Sequence, residues 1–372
     1  MRMPPGFAPQ ASARRRHCCA GRPPNGRSAA AVVQHPASDA ASSRPRTRGR
    51  VNLRELRWTP TKRAVLVSIL AIVMGSLFVT SYALALGDPV PHRIDAAIVG
   101  DPTGQARAVD AAERVAKGSL VFRHYPSVPT ALHAIDEQDV YAALDLTSER
   151  PTLYVASAAG ASVAHLLEGI SAVDPTVRVV DTHPLGTADP NGLVVFYLML
   201  VATIAGFFTV FQVRQNAAGL SLGRWTVFVV ALAVAASFVF TLVVGPLLHR
   251  LQLPVLETWG ILTLDVLAVA SFTSLMLVLI GRWAVLPTWL FFVVLGNSAS
   301  GGAVAPPLLP PPLAFVSQWL PSGATVTALR EAAYFPTYQH AHPIVVLAMW
   351  TTALLVAMLL VSHRLGRSPG VP

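Results

Sequence analysis

The hydrophobic residues of this chain fall into one isolated stretch and one later block. The isolated stretch covers 64–86, about a hundred mostly polar residues follow at 87–190, and a run of apolar segments fills 192–362. A bilayer core of about 30 Å is crossed by a helix of about 20 apolar residues. The pattern therefore predicts a polytopic α-helical membrane protein with one folded domain inserted after its first transmembrane helix.

The later block divides into separate apolar segments. They cover 193–213, 225–248, 259–280, 283–295 and 344–362. Together with 64–86 they predict about six transmembrane helices. The segment 283–295 holds only thirteen apolar residues, so it either spans the membrane or re-enters it.

The insert alternates strand-like and helix-like patterns. Strands are predicted at 94–99, 120–122, 140–144, 152–155 and 177–180, with helices at 106–116, 128–135 and 161–170. Strands that alternate with helices of these lengths indicate a small α/β domain with a largely parallel sheet.

Composition and charge orient this layout. The chain is 53% hydrophobic and 13% charged, which excludes an ordinary soluble protein. Residues 1–63 hold fourteen Lys and Arg against two acidic residues, whereas 87–190 holds seven basic and fourteen acidic residues. Positive residues favour the cytoplasmic side. We therefore expect a multi-pass protein of the cell membrane with both termini cytoplasmic, 363–372 forming the C-terminal tail, and an extracytoplasmic α/β domain.

Residues 1–60 lack apolar periodicity and are predicted to be a disordered, basic cytoplasmic tail. Nucleic-acid binding is not expected, because this tail has no interleaved aromatic residues and leads directly into a membrane helix. Translation could also begin near Val51. The only cysteines, Cys18 and Cys19, are adjacent in this tail and are interpreted as incidental. The small residues Ala83 and Ala85 resemble a signal-peptidase site, but the stretch before them is long enough to be an uncleaved anchor.

Motifs for common chemistry are missing from the sequence. It contains no GxxxxGK[ST], HExxH, GxSxG or paired CxxC. We therefore expect neither an enzyme nor a bound cofactor. Histidines occur at His124, His133, His165, His183, His340 and His342, and we expect no metal site from them.

Asp265 is the one acidic residue well inside a hydrophobic segment. An ionisable residue at such a position is a candidate for a substrate or proton pathway. The alternative is a structural role, since the predicted span 259–280 places Asp265 about one and a half turns from its outer end, near water or a Ser or Thr partner.

The short segment 283–295 ends in the sequence GNSASGG at 296–302. We interpret it as the mouth of a conduit, a re-entrant hairpin or a plain helix end, with Asn297, Ser298 and Ser300 as candidate pathway residues. Pro306 to Pro312 then forms a stiff connector. An apolar helix at 313–320 is predicted to lie in the membrane interface, and Ser322 to cap a second short helix at 324–335.

These motifs carry a family resemblance. The segments concerned are GNSASGG at 296–302, PPLLP at 306–310, WLPSGA at 319–324, and the later Leu329-Arg330 and Tyr334-Phe335. In these segments the chain resembles the YhgE/Pip (phage-infection-protein) group, which is similar to type-2 ABC exporter permeases. The resemblance is strongest over 192–362, and over 64–190 it is one of layout. The motif residues are Gly296, Gly301, Gly302, Pro306, Pro310, Trp319, Pro321, Gly323 and Arg330.

The resemblance implies an export permease that moves a hydrophobic or amphipathic substrate outward, with an ATPase on a separate chain or none. The alternative is a membrane-anchored receptor or scaffold whose α/β domain binds a cell-envelope partner. A polytopic membrane enzyme is disfavoured by the missing catalytic motifs. The expected partners are the lipid bilayer, a separate ATPase subunit and a second copy of the chain, the last through the small residues of 231–237.

Overall fold

The computed structural model describes residues 59–87, 90–249 and 251–371. The predicted tail and its two cysteines lie outside the described residues. The first helix, α1 (Pro60–Leu86), begins with Pro60 at its first position, and the Thr59 side chain accepts a hydrogen bond from the Lys62 backbone N–H. This start is favourable because proline needs no N–H partner in the first turn of a helix. The helix confirms the isolated apolar stretch as one long helix.

The insert folds into an α/β domain with a five-stranded sheet, as the sequence predicts. Its strands are β1 (Ile94–Val99), β2 (Leu120–Tyr125), β3 (Ala142–Asp145), β4 (Thr152–Val155) and β5 (Arg178–Asp181). Its helices are α2 (Ala106–Val115), α3 (Val128–Asp136), α4 (Ala161–Glu168) and α5 (Ile170–Val173). The strand order is β2-β1-β3-β4-β5, and only the β3–β4 pair is antiparallel.

Each face of this sheet has its own hydrophobic core. One core contains Ile98 and Leu144 with residues of α2, α4 and α5, and the other contains Val99 with residues of α3. Ala305 and Leu308 join the first core and Phe335 joins the second, although all three lie more than a hundred residues after the insert, within the later block. The α/β domain is therefore packed onto the later part of the chain.

The helical block is built around α8 (Val255–Ile280). The helices α6 (Val194–Asn216), α7 (Leu222–Leu242) and α12 (Ala341–Leu365) all pack against it, and α7 continues as a π-helical turn (Val243–Leu247). Trp225 of α7 is fully buried and donates its indole N–H to Ser274 Oγ of α8 at 3.0 Å. A helix that is apolar all round suits this central position.

Within the described residues, five helical stretches are long and apolar enough to cross a membrane. They are Pro60–Leu86, Val194–Asn216, Leu222–Leu247, Val255–Gly296 and Ala341–Leu365. The protein is therefore a multi-pass, mainly helical membrane protein.

The fourth of these stretches folds back on itself. The rings of Phe272 and Phe291 stack with their centroids 5.5 Å apart, whereas a straight helix would separate these residues by about 28 Å. The reversal follows Gly281, whose φ of 59° is a conformation that glycine adopts readily. A 3-10 turn (Gly281–Ala284), α9 (Val285–Thr288) and a π-helical turn (Trp289–Gly296) then return along α8.

A helical hairpin follows the glycine-rich loop, which is the GNSASGG segment at 296–302. A 3-10 turn (Pro306–Leu308) leads into α10 (Pro311–Ser317), and α11 (Pro321–Tyr334) packs against α6, α8 and α12. The prediction that Ser322 caps the second helix is wrong. Leu320 has the extended conformation of an N-cap and Pro321 occupies the first helical position, so Ser322 lies inside the helix.

Basic residues collect at the end of the block opposite the α/β domain. Arg214 Nη1 donates to the Pro369 carbonyl at 2.9 Å and so joins the end of α6 to the C-terminal segment. The basic residues of this end and of the start of α1 are Lys62, Arg63, Arg214, Arg224, Arg282, Arg364 and Arg367. The described residues that connect or follow the helices at this end, 214–224, 281–284 and 364–371, contain no acidic residue.

Candidate functional site

The polar residues singled out in the sequence gather around α11. Ser322 Oγ donates to the Gly296 carbonyl at 2.9 Å, and Arg330 Nη2 donates to the Gly301 carbonyl at 2.9 Å. The glycine-rich loop is therefore held along α11 at two points. The motif segments that carry the family resemblance are neighbours in space.

Asp265 lies at the inner end of this cluster and is completely buried. The neighbouring Thr325 hydroxyl donates to the Pro321 carbonyl at 2.9 Å, and both carboxyl oxygens of Asp265 lack a hydrogen-bond partner among the described residues. The helix α8 begins at Val255, four residues before the predicted span, so Asp265 is its eleventh residue and lies about three turns from the helix start. Thr325 is thus the hydroxyl residue that lies beside this carboxyl group, and its own hydrogen bond goes to the Pro321 carbonyl.

Asn297 is a further buried polar side chain of this cluster that has no hydrogen-bond partner among the described residues. It is 3% exposed, and neither its amide nitrogen nor its oxygen is hydrogen-bonded within the described chain. It directly follows Gly296, whose carbonyl accepts from α11, and the Tyr82 side chain of α1 lies beside it. An amide offers both a donor and an acceptor, so Asn297 can bind either kind of polar group.

Ser298 and Ser300 have hydrogen bonds that hold the loop together. The Ser81 hydroxyl of α1 donates to Ser298 Oγ at 2.8 Å, and Ser298 Oγ donates to the Val294 carbonyl at 2.7 Å. Ser300 Oγ donates to the Asn297 carbonyl at 2.9 Å and accepts from the Gly302 N–H at 3.2 Å. Of the four candidate pathway residues, Asp265 and Asn297 therefore keep free hydrogen-bonding capacity.

The glycines of the loop allow close approach. Gly301 has a φ of +71°, and a Cβ there would lie 3.2 Å from Pro306 Cγ. A Cβ on Gly302 would lie 2.7 Å from Phe196 of α6. These contacts let the loop pass between α6 and the hairpin.

The other motif residues shape the hairpin. The Pro310 carbonyl accepts from the first free N–H groups of α10. A Cβ on Gly323 would overlap the Ser317 carbonyl oxygen, so only glycine fits where α10 meets α11. The Trp319 carbonyl accepts from Trp350 Nε1 of α12 at 2.8 Å, which packs the predicted interface segment against α12.

A polar cavity of about 220 Å³ lies at the other end of α11, against the α/β domain. Its lining includes Tyr141, Thr327, Arg330, Glu331 and His340. Burial raises the pKa of the Glu331 carboxyl above its ordinary value, although hydrogen bonds from the His340 backbone and ring oppose this shift.

Histidine–carboxylate pairs surround the segment that joins α11 to α12, a feature that sequence reasoning missed. The pairs are His133 with Glu137 at 3.2 Å, His183 with Asp136 at 3.5 Å and His340 with Glu331 at 3.1 Å. The His183 ring lies 4.8 Å from the Phe335 ring, and the His133 ring lies 5.2 Å from the Tyr338 ring. The spacing of His133 and Glu137, four residues apart at the end of α3, is a local signal that the sequence offered. The other two pairs join residues that are far apart in the sequence or on different elements, so no local pattern reveals them. Within the described ranges, no group of three or more His, Cys, Asp or Glu is placed to hold a metal ion.

An apolar groove of about 640 Å³ opens between α6 and α7 near the α/β domain. Its walls include Val194, Tyr197 and Val201 of α6, Val239 and Phe240 of α7, and its polar rim includes Asp189 and Asn191. The groove exists because α6 and α7 each pack closely on α8 and contact each other much less. Its volume is in the range of small-molecule sites.

Comparisons with protein-family models, curated proteins and solved structures find no match to this chain. Any functional conclusion therefore comes from the site itself.

Proposed function

We propose that this protein is the permease-like membrane subunit of an exporter that moves a hydrophobic or amphipathic substrate outward across the cytoplasmic membrane. The observation that carries the proposal is that a carboxyl group and an amide, those of Asp265 and Asn297, are buried inside the helical block and have no hydrogen-bond partner among the described residues. A charged side chain at the centre of a membrane helix costs about 3 kcal/mol on insertion scales. An anchor gains nothing from that cost, whereas a transport pathway uses such groups.

The proposed topology has six crossings with both termini cytoplasmic and the α/β domain extracytoplasmic. The fifth crossing in chain order is the returning segment 281–298, whose eighteen residues extend about 27 Å at helical rise. The basic residues at the end opposite the α/β domain support this orientation, because positive residues favour the cytoplasmic side. In this frame the α10–α11 hairpin enters the membrane from outside.

Membership of the YhgE/Pip group is part of the same proposal. The contacts of Gly296 with Ser322 and of Gly301 with Arg330 support it, because they give a physical reason for these motif segments to occur together. The family-level expectation of a type-2 exporter permease is carried by the motifs and by this packing.

Two energy sources fit the proposal. The first is a proton gradient, with Asp265 as the group that takes up and releases the proton. The second is a separate ATPase subunit, which would meet the short basic connections 214–224 and 281–284 at the cytoplasmic end. Self-association is also proposed, although Ala233 and Ser237 of the small-residue face are already buried within the chain.

The test is export of a fluorescent amphiphile from proteoliposomes by the wild type, Asp265→Asn and Glu257→Gln. Glu257 lies in the first turn of the same helix and is the matched control for losing one carboxyl group. With proton coupling, Asp265→Asn lowers the export rate by about a hundredfold, while Glu257→Gln stays close to wild type. Unchanged export by Asp265→Asn removes the proton pathway.

Co-purification from the native membrane tests the energy source. A stable ATPase partner that stimulates export supports the two-subunit exporter. If the wild type exports nothing with a proton gradient or with its co-purified partners, the exporter proposal is refuted, and the proposed function becomes that of a membrane-anchored receptor or scaffold.

A further inference from the structure

Arg330 is a largely buried cation without a carboxylate partner. The described residues form four ion pairs, and none of them involves Arg330. Its one hydrogen bond goes from Nη2 to the Gly301 carbonyl at 2.9 Å. A guanidinium has five N–H donors, and a buried charge is costly unless a counter-charge accompanies it.

Two carboxylates of this region, Glu331 next to Arg330 and Asp189 near Tyr334, are already occupied. Glu331 accepts from the His340 backbone N–H at 2.9 Å and pairs with the His340 ring at 3.1 Å. Asp189 accepts from the backbone N–H groups of Leu193 at 2.9 Å and Val194 at 3.0 Å, at the start of α6. The positive charge of Arg330 is therefore left for another anion.

Two tyrosines add donors beside this cation. The Tyr334 hydroxyl is buried and has no hydrogen-bond partner among the described residues. It lines a narrow space together with Arg330, Asn191 and Gly192, while Tyr141 lines the larger polar cavity on the other side of Arg330. A guanidinium flanked by hydroxyl groups suits a phosphate or carboxylate.

The polar space beside Arg330 and the apolar groove share one lining residue. Asn191 lines both the narrow space beside Arg330 and the groove between α6 and α7. From Val194 to Val201 the groove follows α6 for about 10 Å, a length that suits an alkyl chain. A cationic site and an apolar groove thus meet at one residue.

We propose that Arg330 binds the anionic head group of a single-chain amphiphile whose tail lies in the groove between α6 and α7. Binding of this amphiphile does not depend on the proposed export function. Only the further step of identifying it as the exported substrate rests on that function. Phosphate and carboxylate share the required chemistry, so both head groups are compared in the test.

The experiment measures equilibrium binding of radiolabelled dodecyl phosphate and laurate to the full-length protein in nanodiscs of neutral lipid. Inorganic phosphate and dodecylphosphocholine are the comparison ligands. The variants are Arg330→Gln, the groove-filling Val201→Trp, and the control Arg224→Gln, an arginine at the opposite end of the block.

Dodecyl phosphate or laurate is expected to bind tightly to the wild type and to Arg224→Gln. Arg330→Gln is expected to weaken that binding by about tenfold to a hundredfold, as the loss of a charge-assisted hydrogen bond implies. Val201→Trp is expected to weaken binding of the alkyl ligand and to leave inorganic phosphate unaffected. The zwitterionic ligand is expected to bind weakly, with no dependence on Arg330.

Equal affinity of wild type and a well-folded Arg330→Gln overturns the proposal. Inorganic phosphate binding as tightly as dodecyl phosphate overturns the part assigned to the groove. If Arg330→Gln does not fold, Tyr334→Phe replaces it and is expected to weaken binding about threefold to tenfold, while unchanged affinity overturns the site. Binding without export refutes the proposed function alone, and export without Arg330-dependent binding refutes this inference alone.

Discussion

Arg330 Nη2 donates to the Gly301 carbonyl at 2.9 Å and so ties α11 to a loop 29 residues earlier. Gly301 presents its carbonyl this way because its φ is +71° and because Pro306 packs directly against it. This hydrogen bond holds the Arg330 side chain, the cation of the proposed anion site, against the glycine-rich loop.

Replacing Gly301 with alanine should therefore destabilise the protein. The positive φ costs an L-residue about 1–2 kcal/mol, and the new Cβ would also press on Pro306 at 3.2 Å. Thermal unfolding in detergent, followed by tryptophan fluorescence, should show a lower Tm. Gly223→Ala is the control, since its Cβ would meet nothing within 4 Å in α7. Equal Tm values for both variants would contradict this account.

Gly323→Ala should disturb the hairpin more severely. Its Cβ would overlap the Ser317 carbonyl oxygen, which is main chain and cannot rotate away. Overpacking of this kind costs about 1–3 kcal/mol, and here it also separates α10 from α11. Gly260→Ala in α8 has open space for its Cβ and should keep the wild-type Tm. The prediction fails if Gly323→Ala unfolds at the same temperature as Gly260→Ala.

The hydrogen bond between Ser81 and Ser298 should couple α1 to the returning segment. Ser81 Oγ donates to Ser298 Oγ at 2.8 Å and lies 3.0 Å from the Val294 carbonyl. Interhelical hydrogen bonds in membrane proteins contribute about 0.6 kcal/mol, with a maximum of about 1.7. A double-mutant cycle of Ser81→Ala and Ser298→Ala should give a coupling free energy in this range. Additive single effects would show that the contact contributes nothing.

Glu331 should make stability fall as pH rises. Burial raises the pKa of this carboxyl in the folded state above its ordinary value of 4.5. The folded state then binds the proton more tightly, so the stabilisation is complete below that value and is lost as pH rises through the folded-state pKa. Unfolding free energies measured from pH 4.5 upward should decrease more steeply for wild type than for Glu331→Gln. Glu149→Gln, which removes an exposed carboxyl, serves as the control, and identical slopes for wild type and Glu331→Gln would refute the assignment.

Much of the architecture was predictable from periodicity. Long apolar runs identify α6, α7, α8 and α12, because only helices bury every backbone group within one segment in a membrane. Alternation in the insert identifies all five strands. It does not reveal that β3 and β4 are antiparallel, since pairing direction depends on the length and path of the connection.

The site was predictable only in part. Asp265 stands out by its charge, and the glycine-rich loop by its motif. The break between the segments 259–280 and 283–295 signals the chain reversal at Gly281, but it does not reveal which residues of the loop meet α11. The splaying of α6 and α7, which creates the groove, is a matter of helix packing angles. Ser322 resembled a helix cap because Ser favours that position, but Pro321 starts the helix one residue earlier.

The hairpin is attached to the sheet at both of its ends. Ala305 and Leu308, before α10, lie in the core on one face, and Phe335, after α11, lies in the core on the other face. Both ends of the hairpin that carries Thr325 are therefore held by the α/β domain. The α/β domain is thus connected through this hairpin to the buried surroundings of Asp265 in the helical block.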